Sequence, residues 1–242
     1  MIRMEAPKRF KPLVMQAHQV AANVFRPISR KYDLAEHTYP KELDMLAALM
    51  DGMSETGATG GAGAAGLEKG GHDAPKTTEN KNGANLATAL GMIELCWGDA
   101  GLALSIPRQG LGNAAIAAVA NEDQKKRFNG KWAAMAITEP EAGSDSGAIR
   151  TTAHLDGDEW VLNGEKIYVT AGQRADCVVV WATLDRNLGR AAIKSFVVER
   201  GTPGMEVVRL DHKLGIKASD TAVIQFTDCR IPRGNILGSE EV

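Results

Sequence analysis

The sequence predicts an α+β multidomain protein, with an N-terminal all-α domain followed by an antiparallel β-barrel or sandwich. Three observations predict it. Apolar residues recur at the three-four spacing of helices as far as Phe128. From Lys131 onward, short apolar runs of strand length alternate with turn residues. A length of 242 residues is enough for two cores. The expected boundaries are 1–130 for the helical domain and 131–238 for the β domain, with 239–242 opening a further helical segment.

Phe10, Leu13, Val14, Ala17, Val20, Ala21, Val24 and Phe25 form the apolar side of a first helix over residues 9–26, which Pro27 stops or bends. A second helix runs from Pro40, suited to a first turn, to Met50. Between about 55 and 81 the chain is Gly/Ala-rich and then polar, too poor in apolar surface to offset its ordering entropy, and reads as a mobile loop. It contains the spacing Gly61-Ala-Gly63-Ala-Ala-Gly66, but without the preceding strand and following helix that a dinucleotide loop needs. Residues 84–106 form a long helix, apolar over much of its circumference, and 113–120 another. Asn121 and Gln124 form a capping pair for a short helix through Phe128. The expected strands are 132–137, 151–155, 159–162, 176–184, 193–199, 205–210 and 222–226, with a hairpin at Asp156-Gly157-Asp158 and a turn at Asn163-Gly164.

Composition narrows the function. A formal net charge of -2 implies no polyanion partner, so nucleic acid is not expected. No apolar run is long enough to span a bilayer or act as a signal peptide, and a cytoplasmic protein is the expectation. Cys96, Cys177 and Cys229 form no CxxC pair, which fits a reduced compartment. The five histidines are scattered without metal-ligand spacing, so no metal is expected.

Three stretches could carry chemistry. In Met135-Ala-Ile137-Thr138-Glu-Pro-Glu141-Ala-Gly143-Ser144-Asp145 an apolar strand breaks into a loop of small and hydroxyl residues, which could approach a flat polar ligand or a phosphate closely. It could equally be an ordinary strand exit. In the run from Asn163 to Gly172, Tyr168 and Thr170 share a strand face, offering an aromatic plane and a hydroxyl to a planar ring, or simply a cross-strand pair. In the run from Leu210 to Thr221, His212 lies beside Asp211 and reads as either an acid–base group or a surface hydrogen bond.

Taken in order, these stretches resemble the acyl-CoA dehydrogenase family. The runs are Ile-Thr-Glu-Pro-Glu-Ala-Gly-Ser-Asp from Ile137, Asn-Gly-Glu-Lys-Ile-Tyr-Val-Thr-Ala-Gly from Asn163, and Lys-Leu-Gly-Ile-Lys-Ala-Ser-Asp-Thr from Lys213; Ile231-Pro232 and Asn235-Ile-Leu-Gly238 also fit. The resemblance implies an N-terminal helical domain, a middle β domain and a C-terminal helical bundle. It implies α,β-dehydrogenation of acyl-CoA thioesters with FAD as hydride acceptor, an electron-transfer flavoprotein as electron acceptor, a homo- or hetero-oligomer and a place in fatty acid metabolism. By the same resemblance Met135, Ile137 and Thr138 line the flavin, with only main-chain contacts carried over at Met135. Gly143 and Ser144 lie near the pyrophosphate, and Ser144 also near the acyl-CoA thioester. Tyr168, Val169 and Thr170 cover the rest of the ring. Glu141 stands where relatives carry a small residue. The family's catalytic base is expected beyond Val242, and none of Glu94, Glu139 and Glu165 matches it. Two alternatives share the resemblance. One is a non-catalytic dehydrogenase-like subunit of a hetero-oligomer. The other is an acyl-CoA oxidase or flavin monooxygenase of the same fold.

Overall fold

The computed structural model of the chain describes residues 7–55, 83–108 and 110–240. From residue 56 on, the expected Gly/Ala-rich loop and its glycine spacing lie outside the described residues, as do residues 241–242 of the expected terminal segment. The chain divides into two compact units: Met1–Ile106 with His212–Ser219, and Pro107–Asp211 with Asp220–Val242. Residues 107–130 thus group with the sheet, whereas the change of periodicity that sets the expected boundary lies at 130/131.

The first unit is helical. Helices α1 (Lys11–Val20) and α2 (Arg26–Leu34) are joined by a π-helical turn, Ala21–Phe25. The chain therefore continues through Pro27, where a stop or bend is expected. The wide turn explains why. The Arg26 N–H reaches back to Ala21 O, and the ladder restarts with Pro27 inside the first turn of α2, where a missing N–H costs nothing. Helix α3 is Leu43–Glu55, and Pro40 sits before it, accepting the Leu43 N–H at 3.0 Å. Helix α4, Ala84–Leu104, breaks at Asp99, whose backbone is extended (φ -171°, ψ 117°). The Asp99 carboxylate accepts the Leu102 N–H at 2.9 Å and caps the resumed helix. Phe25, Tyr32, Leu43, Ala47 and Leu102 form this unit's core together with Ala218 from the His212–Ser219 segment. Although apolar over much of its circumference, α4 is open in places, with Ile93 62% and Trp97 51% exposed.

The second unit holds α5 (Leu111–Val119), α6 (Glu122–Phe128) and eight strands. These are β1 (Ala133–Ala136), β2 (Thr152–Asp156), β3 (Glu159–Thr170), β4 (Cys177–Thr183), β5 (Ile193–Glu199), β6 (Met205–Leu210), β7 (Thr221–Pro232) and β8 (Ile236–Leu237). The sheet is open, in the order β6-β7-β3-β2-β4-β5-β8, with β1 on β4. Most ladders are antiparallel, but β1 and β2 both pair β4 in parallel. β4 is a continuous apolar run because it is buried on both faces. The capping box at Asn121 and Gln124 is present, and Gln124 Nε2 also donates to Ile236 O at 2.6 Å. The hairpin forms at Gly157 (φ +62°). Asn163-Gly164, expected as a turn, lies instead inside the 12-residue β3, opposite a bulge in β7. The Asn163 amide bonds the bulged Asp228 through both of its groups, so the strand runs on rather than reversing.

Candidate functional site

The site region forms where one edge of β4 changes partner. β1 occupies that edge along Cys177–Val180, and β2 takes it over at Thr183. The connection between them, residues 137–151, must leave the sheet, and this is the first candidate stretch. β1 itself is held from behind by α5. A Cβ on Gly112 would lie 2.3 Å from Ala134 O and 2.4 Å from Ala133 O, so helix and strand meet backbone to backbone. On β1, Met135 is half-buried between fully covered alanines.

Beyond β1 the chain is fastened to β3, which brings two of the candidate stretches together. The Ile167 N–H donates to Thr138 O at 2.9 Å. Lys166 Nζ donates to Ile137 O at 3.0 Å and to Glu139 Oε1 at 2.7 Å. Lys166 is fully buried and Glu139 is 6% exposed, and the carboxylate also accepts the N–H groups of Arg150 (2.6 Å) and Thr151 (2.9 Å). Burial pushes the Glu139 carboxyl up, but the hydrogen bonds from Lys166, Thr151 and Arg150 outweigh it and hold the group below the usual carboxylate range. Burial pushes the Lys166 ammonium down from its usual value, against the Glu139 carboxylate that raises it. Three N–H donors on one carboxylate suit its ionised form, and we treat the two as a buried ion pair. Glu139 is therefore a staple under the loop and not an available base.

The loop then tightens. Glu139 and Ala142 exchange both backbone hydrogen bonds, so Pro140 and Glu141 turn outward, and Glu141 pairs with Arg150 at 2.5 Å. The charge that Glu141 brings where relatives carry a small residue is thus matched by a guanidinium. Gly143 and Ser144 follow, both exposed, and a Cβ on Gly143 would meet nothing within 4 Å. Asp145 turns the chain, accepting the Gly147 N–H at 3.2 Å.

On β3 the register slips between Lys166 and Val169, giving a bulge with Tyr168 in the left-handed region (φ +58°). A bulky residue there is strained, and such strain collects at functional positions. The bulge leaves the Tyr168 side chain 65% exposed, buries Val169 completely and exposes Thr170. The next turn is fixed by Asp220, which is 1% exposed and pairs with Arg174 at 3.2 Å while accepting the Gln173 N–H at 3.0 Å. A cleft of about 440 Å³ lies beside the loop, between Glu139, Arg150, Thr151, Gly164 and Arg186, and the expected flavin residues do not line it. Burial pushes the Cys177 thiol up to about 12 and Cys229 up to about 11, so neither is a thiolate nucleophile at neutral pH.

The structure thus joins Ile137 and Thr138 to the Tyr168–Thr170 bulge, with Gly143 and Ser144 on the same continuous loop. Sequence reasoning missed the parts that do the joining, Lys166 with Glu139 and Arg174 with Asp220. A lysine inside a strand alternation was the one available signal.

The family model described as "Acyl-CoA dehydrogenase, middle domain" matches residues 134–229, which contain all of these elements except the start of β1. Residues 134–229 are similar to the middle domain of the acyl-CoA dehydrogenase family. It is 34% identical over 235 residues to acryloyl-CoA reductase (NADH) of Anaerotignum propionicum, covering 93% of this chain and 54% of that protein. It is 34% identical over 242 residues to the human mitochondrial short-chain specific acyl-CoA dehydrogenase, covering 97% and 54%. Butyryl-CoA dehydrogenase from Megasphaera elsdenii superposes with a TM-score of 0.78 at 28% identity, over 99% of this chain and 61% of that one. The chain spans about half the length of the curated relatives it matches.

Proposed function

We propose that the chain is the part of a flavin-dependent short-chain acyl-CoA dehydrogenase that holds one side of FAD. The observation that carries this is the locked pair of strand exits, in which Ile167 N–H bonds Thr138 O and Lys166 bonds Ile137 O, with the Tyr168 bulge beside them. The residues fit the group. An exposed aromatic ring on a strained bulge, two threonine hydroxyls and an open Gly-Ser loop suit a planar ring with a phosphate tail. Met135 would meet the flavin through its main chain only, and Ile137 would line it beside Met135. Thr138 would hydrogen-bond its pyrimidine edge. Gly143 and Ser144 would receive the pyrophosphate, with Ser144 also close to the thioester. Tyr168 and Val169 would cover the ring, with the Thr170 hydroxyl near N5. Bound there, FAD would supply hydride-accepting chemistry, with these residues holding and orienting it.

This chain's own residues supply orientation. The Glu139–Lys166 staple fixes where Thr138 stands, and the bulge fixes how Tyr168 and Thr170 face outward. None of the described carboxylates is assigned the removal of the α-proton. The names of the relatives support a short acyl group, and the family resemblance supports an electron-transfer flavoprotein as acceptor and an oligomeric assembly. Within the described residues no helix is long and apolar enough to cross a membrane.

The test is reconstitution of the natural gene product with FAD, followed by butyryl-CoA under anaerobic conditions. The flavin absorbance should bleach, and hydrogen peroxide should not accumulate when air is admitted. Flavin that never bleaches with any short acyl-CoA overturns the reading, and stoichiometric peroxide would make the protein an oxidase.

A further inference from the structure

Far from the proposed flavin residues in sequence, the helical unit gathers two histidines and a carboxylate. Glu36 and His37 follow α2, and His212 returns from 176 positions beyond Glu36. One ligand atom from each of the three lies within 4.8 Å of the other two. His212 Nδ1 is already 2.9 Å from Glu36 Oε2, and the His37 and His212 rings stand 5.3 Å apart, tilted by 55°. The sequence shows no metal-ligand spacing because the third donor comes from a separate segment.

We propose that Glu36, His37 and His212 form a binding site for a divalent transition-metal ion of the zinc or cobalt class. The donor set selects the class. Two imidazoles and one carboxylate suit zinc, cobalt or nickel, whereas calcium and magnesium take oxygen ligands. The geometry needs only a small closure. Bonds of about 2.0–2.2 Å place tetrahedral ligand atoms roughly 3.4 Å apart. The His212 side chain is 84% exposed and can swing, while Glu36 is 17% exposed and held. That hold is specific. The Lys213 N–H donates to Glu36 Oε1 at 2.9 Å, which leaves Oε2 for the ion and orients the carboxylate from outside the ligand set. The hydrogen bonds from His212 and Lys213 keep the Glu36 carboxyl down at about 2, so it is an anion at neutral pH. The Lys213 ammonium is directed to Ser219 O at 2.7 Å. His37 is fixed by its backbone, in the left-handed region (φ +66°) with its N–H toward Lys217 O at 3.4 Å.

Bound there, the ion replaces the His212–Glu36 hydrogen bond and cross-links the end of α2 to the His212–Ser219 segment. Water completes its shell. The role is structural, a clip on a segment whose tip, Leu214 to Ile216, is exposed.

The experiment uses the full chain carrying Cys96→Ser, because Cys96 is an exposed thiol and thiolates are zinc ligands that would compete with the proposed site. After chelator treatment, ZnCl₂ is titrated by calorimetry and CoCl₂ by visible absorption. One ion per chain is expected, with cobalt bands of nitrogen and oxygen ligation and a higher melting temperature in zinc. His212→Ala, at a site exposed enough not to disturb folding, should weaken zinc binding at least about tenfold and remove the thermal shift. Glu36→Gln should act in the same direction, and His154→Ala should leave binding unchanged. Zinc affinity in His212→Ala within about twofold of the parent overturns the proposal, as does a parent that shows no saturable binding below about 1 mM, a free energy of about -4.1 kcal/mol.

Discussion

Lys166→Met tests whether the buried ion pair holds the loop of the candidate flavin site. Methionine keeps most of the stem's volume in a fully buried position, so the change removes charge and hydrogen bonds more than packing. Glu139 is then a carboxylate at 6% exposure without its cation. Breaking a buried pair from one side costs about 3–5 kcal/mol. Glu139 keeps its bonds from Arg150 at 2.6 Å and Thr151 at 2.9 Å, which favours the lower end. Ile137 O loses its 3.0 Å donor, which adds about 1 kcal/mol. The expected loss is therefore roughly 3–4 kcal/mol. Urea unfolding followed by tryptophan fluorescence reads it, because Trp132, Trp160 and Trp181 all lie in the sheet unit. With a slope of about 1–3 kcal/mol per molar urea, the midpoint should fall by more than about 1 M. Glu139→Gln combined with Lys166→Met leaves no stranded charge and should lose less than the sum of the two single changes. A single variant within about 0.5 kcal/mol of wild type, or strict additivity in the double, would refute the reasoning.

Further expectations concern single positions. Gly112→Ala drives a Cβ to 2.3 Å from the backbone oxygen of Ala134, which cannot give way, and should cost about 1–3 kcal/mol in thermal unfolding; an unchanged melting temperature would mean that α5 does not sit on β1 as described. Tyr168→Gly relieves the left-handed strain at φ +58° and should hold or raise stability by up to about 1 kcal/mol while weakening FAD binding, and a stability loss with unchanged FAD affinity would reverse the assignment of that strain to function. The Glu42 carboxyl is held at about 2 by the hydrogen bonds from Lys31 and then Tyr32, so its contribution is complete above its ordinary value of 4.5 and is lost as pH falls toward 2. The fall of stability between pH 4.5 and 2 should be shallower in Glu42→Gln, and an equal slope would show that the pairing is not felt in solution.

Much of the fold was legible in the residues. The strands at 193–199 and 205–210 coincide with β5 and β6, and the Asn121–Gln124 capping box and the Gly157 hairpin form as their local chemistry directs. These features depend on neighbours a few residues away, so spacing reveals them. Pro27 misled for the opposite reason. Its effect depends on the hydrogen-bond register arriving from Ala21, and a π turn shifts that register. Asn163-Gly164 has turn chemistry, yet pairing of Asn163 with β2 and of Leu162 and Gly164 with β7 keeps it in a strand.

The site divides in the same way. The sequence alone determined the helical-then-β order and the three stretches, with their hydroxyls, small residues and one aromatic, because these are properties of short runs. Only the tertiary structure decided that Thr138 bonds Ile167, that Lys166 is buried against Glu139, that Tyr168 sits on a strained bulge, and that His212 meets Glu36 and His37. Each of those depends on which strand or segment lies alongside, and burial gives a lysine or a histidine its partner only after distant parts of the chain have met.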